Sequence, residues 1–371
     1  MLPLYAAVIG LLLLGAQRPE PLVQSIDVTF RLAPVAFRQG GATQLVHELH
    51  ITNFQQANAS IRAVAVHDAD GRELARYADA ELARRITRPG LRNDHATPHI
   101  IGPGMRAIVH VWDAAPPDAP LVSRMAYTVD VDIIRNGEML QTQVKSRAVP
   151  VSHGTAIEID PPLRGGPWIA VYDPLLKGGH RTAMYTLNGR VSIPGRFAID
   201  FIALPDGGVL PAVRAPDSNG FGAEVLAVAD GTVTVAVDGV AERTPPPITL
   251  ELAPGNHIAI DLGRNRFAFY EHLQRGSVMV RPGDRVTRGQ VIARLGSSGS
   301  SSIGPHLHFH IADASSTLAA EGVPFVFRQF TQVGSFASLI SLTSGEKWLS
   351  APSAVSRQLE RPDPVAVIHF P

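Results

Sequence analysis

Apolar and polar residues alternate with a period of two along much of this chain, and turn-forming pairs interrupt the alternation at short intervals. That pattern suits β-strands and little else. Ile26 to Phe30 alternates, as do Leu45 to Ile51, Ile61 to Val66, Ala107 to Trp112 and Ala126 to Asp132. Between them stand Asp70-Gly71, Pro89-Gly90, Pro103-Gly104 and Asn136-Gly137, pairs whose backbone preferences close turns. With 33 glycines and 30 prolines in 371 residues and no collagen period, many short elements joined by turns are expected. The fold class read from this is all-β, with one short helix at Asp79–Arg85.

At ~150 residues per domain the length implies about two domains. Residues 24–152 are expected to form an immunoglobulin-like β-sandwich. The proline-punctuated stretch Val149 to Pro162 reads as a linker. Residues 163–330 form a second region of short strands and Gly-rich turns, and 331–371 reads as a C-terminal tail that wraps back on it. The opening run Met1 to Ala16 is continuously apolar. As a helix of about 24 Å at ~1.5 Å per residue it falls short of the ~30 Å of a bilayer core. It suits a signal peptide, residues 1–16, and export to the periplasm, cell envelope or medium. No later stretch is long and apolar enough for a membrane span in the mature chain.

Composition excludes several chemistries. Lys plus Arg and Asp plus Glu balance at 33 each, which argues against a nucleic-acid binder. Without cysteine there are no disulfides, thiolate zinc sites, iron–sulfur clusters or thiol catalysis. Any metal site must be built from His, Asp or Glu.

One segment concentrates that chemistry: Gly304-Pro305-His306-Leu307-His308-Phe309-His310-Ile311. On a strand, His306, His308 and His310 point to one face while Leu307, Phe309 and Ile311 pack inward. Imidazoles at i and i+2 can aim at one point, which suits a metal ligand beside a catalytic base; the same spacing also fits ordinary core histidines. His47, His50, His67, His95, His99 and His110 lie in the first region without such convergence. His153 and His369 have no visible partners.

The ordered series Ile199-Asp200-Phe201, Val228 to Val233, Tyr270-Glu271-His272-Leu273, Gly283 to Val286, Gly289 to Ala293 and Gly304 to Phe309 resembles the lysostaphin-type (LytM-like) zinc endopeptidases, which are peptidoglycan hydrolases. The resemblance runs from about Ala198 to Ile311. It implies a compact antiparallel β metallopeptidase domain, a duplicated hybrid motif, with Zn2+ on the floor of a groove. It further implies that Asp200 and His308 are ligands, that His306 acts on the metal-bound water, and that His272 assists at the developing oxyanion. The implied substrates are peptidoglycan peptides, either cross-links or stem peptides.

The family's remaining ligand is a histidine four residues before the aspartate, and here that position is Arg196, which cannot ligate zinc. The Asn188-Gly189 pair signals a two-residue hairpin loop, which pairs residues whose numbers sum to 377 and brings His180 beside the vacant position. His180 is therefore expected to be the third ligand. His310 and His257, with Arg196, are expected to support the site or face substrate. Two other readings stand beside this one. Loss at position 196 is what a catalytically inactive relative would show, one that binds cell wall or activates another wall hydrolase. The Gly283–Gly296 pattern also occurs in lipoyl and biotinyl carriers, but these need an acceptor lysine, and none lies between Lys177 and Lys347. The N-terminal sandwich is expected either to position the groove or to cover it.

Overall fold

A computed structural model describes residues 25–91, 96–115, 122–154, 156–210, 218–242, 253–299 and 304–371. The proposed signal peptide and His95 lie outside the described residues.

The first region consists of two antiparallel sheets. One is built on Ala42–Asn53, which pairs with Ile26–Phe30, Val35–Gln39 and Arg106–Ala114. The other is built on Arg124–Arg135, which lies between Glu138–Lys145 and Ala59–His67. Leu49, Ile51 and Val109 of the first sheet meet Val64, Val129 and Val131 of the second in one core, so the pair is a β-sandwich. The expected helix Asp79–Arg85 is present, with acidic residues in its first turn and arginines in its last, which favours the helix dipole.

Ala42–Asn53 is buried on both faces, although its sequence alternates as a half-exposed strand would. Leu45, Leu49 and Ile51 face the sandwich core. Val46 and Glu48 face the second region, and Val46 and Trp112 share an apolar cluster with Phe197 and Tyr172.

The second region is organised around a ten-stranded sheet in which every pairing is antiparallel. At its centre Phe267–Leu273, Leu307–Ala312, Ile199–Ala203 and Gly165–Val171 lie side by side. Phe201, Tyr270, Phe309, Phe325 and Phe327 fill the core behind them with edge-to-face contacts.

Two expectations about connecting segments are corrected. Residues 331–371 do wrap back on the second region, but as regular structure: Phe330–Ser335, Leu349–Arg357 and Ala366–Phe370 are strands of the large sheet, with a short helix at Leu339–Thr343. Ala366 to Ile368 is buried on both faces and reads as an apolar run, while Leu349–Arg357 is largely exposed, so neither alternates. The linker also contains a strand, Ile157–Ile159, which pairs in parallel with Phe325–Phe327.

Candidate metal and catalytic site

Three neighbouring strands place the chemistry. In their registers Asp200 lies opposite His308 on one side, and Glu271 lies opposite His308 on the other. Residues in one row across a sheet share a face. Asp200, His308 and Glu271 therefore stand together, with His306 and His310 two residues either side of His308. The intervening Leu307, Phe309 and Ile311 are fully buried in the core, as the alternation requires.

His272 needs a further device. It follows Glu271 directly, and strict alternation would send the two side chains to opposite faces. Both line the same cavity of about 170 Å³. The alternation fails because the register slips between Asn256↔Leu273 and Ile258↔Tyr270, setting Glu271 and His272 against His257 alone. At this bulge His272 takes a left-handed backbone, with φ +63°. Its ring then comes to 4.5 Å from that of His306, centroid to centroid.

His180 arrives from a separate segment. The Asn188-Gly189 hairpin forms with the expected register, Tyr185↔Ser192 to Leu187↔Arg190. It is only three pairs long. Beyond it the chain leaves the ladder for two 3-10 turns, His180–Thr182 and Pro194–Phe197. The turns pack together, with Gly195 against His180. His180 Nε2 lies 3.5 Å from Asp200 Oδ2, and its ring stands edge-on to that of His308 at 4.7 Å.

Donor atoms of His180, Asp200 and His308 all lie within 4.8 Å of one another. His308 also belongs to a second such trio, with Glu271 and His310. Its Nδ1 donates to Asp200 Oδ1 at 2.8 Å, and its Nε2 is 3.1 Å from His310 Nδ1. Burial pushes His180 down to about 4, against the pull of Asp200. Burial likewise holds His272 and His310 well below the usual histidine range. Burial opposes ionisation of Asp200, but His180, His306 and His308 outweigh it and hold the carboxyl well below its usual range. His308 is raised: burial works against this, and Glu271 and Asp200 overcome it. A neutral imidazole and a carboxylate are the forms that ligate metal, and the site favours a positive charge at its centre. His310 Nε2 is buried with no hydrogen-bond partner, its ring stacked on Phe269. This donor set fits zinc.

The two remaining expected site residues stand elsewhere. His257 is buried, with Nδ1 on the carbonyl of Gly255 at 2.8 Å, and does not line the cavity. Arg196 turns away from the cavity into a buried cluster, where it pairs with Glu48 and, at 2.8 Å, with Glu321. No guanidinium among the described residues crowds the ligands. Glu271 was absent from the expected site, because period-two reading puts it on the face opposite His272. The cavity walls, from Tyr185, Pro254 and Leu318 among others, carry no sequence signal of their own.

A sheet face carrying converging imidazoles and a carboxylate in a cleft is a candidate metal site. Residues 217–319 match the family model of Peptidase family M23. Glu271, His272, His306, His308 and His310 fall inside that span, while His180 and Asp200 precede it. Three solved structures are distantly similar. A mutant catalytic domain of the prophage-encoded M23 protein EnpA from Enterococcus faecalis is 21% identical (43% of this chain, 91% of that one, TM-score 0.27). The catalytic domain of the antimicrobial peptidase lysostaphin from Staphylococcus simulans is 22% identical (43% and 88%, TM-score 0.24). A zinc-containing peptidase from Vibrio cholerae is 16% identical (72% and 77%, TM-score 0.22).

Proposed function

We propose that the protein is an exported zinc metalloendopeptidase that hydrolyses peptide bonds in bacterial peptidoglycan. The observation that carries this reading is the meeting of His180, Asp200 and His308 donors beside His306 and His272 in one cavity. The family match supports a metallopeptidase, and the family resemblance supports cell-wall peptides as substrate.

His180, Asp200 and His308 would hold the zinc. When bound, it acts as a Lewis acid, polarising a carbonyl and lowering the pKa of a water in its open position toward ~7. His306 anchors its ring by donating from Nδ1 to the Gly304 carbonyl at 2.8 Å, which leaves Nε2 to accept the proton released as water attacks. His272 is held the same way, Nδ1 on the Ser298 carbonyl at 2.8 Å. Its Nε2 is then a proton acceptor too, and it serves a developing negative charge only after taking a proton there. His310 accepts from or donates to His308 Nε2 and so fixes that ring's rotation.

The inactive-relative reading draws on the histidine missing at position 196; His180 Nε2, 3.5 Å from Asp200 Oδ2, offers a replacement donor and supports the active reading. Zinc content and muropeptide cleavage by the full chain test the proposal. About one zinc per chain and newly exposed amino groups are expected, with His308→Ala losing both. A zinc-free wild-type protein without cleavage would overturn it.

A further inference from the structure

The site has a ligand, His180, that does not come from the sheet. Its side chain is 35% exposed, and its one ion-pair contact among the described residues is Asp200 at 3.5 Å. The turn that carries it has no side-chain cap at Gly179. Thr182 Oγ1 ties it to the preceding loop by accepting from Gly178 N at 2.8 Å, but that loop is itself exposed. Something else must set where the ring stands.

The next residue points the opposite way. Arg181 is buried, and its side-chain hydrogen bonds to described residues go to the N-terminal sandwich. Its Nε donates to Glu48 Oε1 at 3.1 Å. Its Nη2 donates to the carbonyls of His47 and Val111 at 2.6 and 2.8 Å. The guanidinium lies 5.3 Å from the ring centre of Trp112. Glu48 Oε2 accepts from Arg196, in the turn that packs on His180 and leads into the Asp200 strand. One buried carboxylate from the sandwich thus grips both turns flanking the ligand pair.

We infer that Glu48 and Arg181 are positioning residues for the metal site: the sandwich, through this fork, holds His180 at ligating distance. The inference rests on the reading of His180, Asp200 and His308 as the ligand set. It makes the N-terminal region part of the machinery, with a role distinct from targeting and from covering the groove. A purely structural clamp would lower stability without acting through His180.

The test is a double-mutant cycle on the full-length, metal-stripped chain, reading Zn2+ affinity by competition with a chromophoric chelator. His180→Ala should weaken binding strongly, and Arg181→Met by ~10–100-fold, the range for a residue that orients a ligand. The double variant should bind like His180→Ala alone, within a factor of ~2, because Arg181 has nothing left to position. If Arg181→Met does not fold, Arg181→Lys, which keeps the charge beside Glu48 and loses the fork, takes its place under the same criteria. Wild-type affinity in the Arg181 variant, or a loss that multiplies fully with that of His180→Ala, overturns the inference and leaves the ligand set standing. Unchanged affinity in His180→Ala overturns the ligand set, and the inference with it.

Discussion

Each ring nitrogen of His308 faces a different acidic or imidazole partner, and the neighbouring side chains divide their work accordingly. Asp200 and His180 lie on the Nδ1 side, His310 on the Nε2 side. His306 and His272 each have Nδ1 on a backbone carbonyl, and the proposed function gives them the proton transfers. The two roles are separable by mutation. His272→Ala should keep its zinc and lose ~10²–10⁴ in kcat, the usual worth of a positioned acid–base group. Parallel metal analysis and kinetics check this, and loss of zinc together with activity would make His272 a ligand. The alternation that sets His306, His308 and His310 on one face is legible from sequence. The roles of Asp200 and His272 are not, since an aspartate in an apolar strand and a histidine after a tyrosine have no local signature. Those roles are what the family resemblance implies.

Among the elements, the bulge at Glu271-His272 and the Gly296 loop matter most. Gly296 N donates to the His272 carbonyl at 3.1 Å, and its own carbonyl accepts from His306 N at 3.2 Å, so one residue joins these two histidines through backbone. A Cβ at Gly296 would stand 2.4 Å from the Cα and N of Gln274, which are backbone and cannot swing aside. Gly296→Ala should therefore cost ~1–3 kcal/mol and depress activity as well. A calorimetric scan with an unchanged transition would contradict this. Hairpin arithmetic led from Asn188-Gly189 to the neighbourhood of His180, because two-residue loops fix register. It could not show that the ladder stops after three pairs, nor that a bulge turns His272 onto the face that carries Glu271, since both depend on tertiary packing.

On the scale of the whole molecule, the two regions share a core and a charge cluster. Phe37, Val46 and Trp112 pack with Phe197 and Tyr172, and Glu48 meets Arg181 and Arg196. Glu48 and Arg181 are 133 residues apart, so no sequence window contains the pair. The described residues that line the cavity all come from 180–318, so the sandwich stands behind the site and does not close it. Breaking such a buried pair typically costs ~3–5 kcal/mol, and removing the sandwich should leave residues 156–371 without a cooperative melting transition. The sandwich also carries an acid-labile element. Burial lowers His47 and His110 to about 3 and His50 to about 4. The unfolded chain takes these protons near ~6.5 and the folded chain does not, so stability is full above that pH and falls as pH drops toward 3. The urea midpoint should decline between pH 6.5 and 4.5, above the range where most carboxylates titrate; a flat midpoint there would contradict the buried, neutral state of these rings.

Anomalous diffraction at the zinc edge, on crystals of the zinc-loaded full chain, tests the ligand assignment most directly. A single strong peak bounded by His180, Asp200 and His308 is the predicted result. A peak between Glu271, His308 and His310 with His180 turned away, or no peak in the cavity, would contradict it.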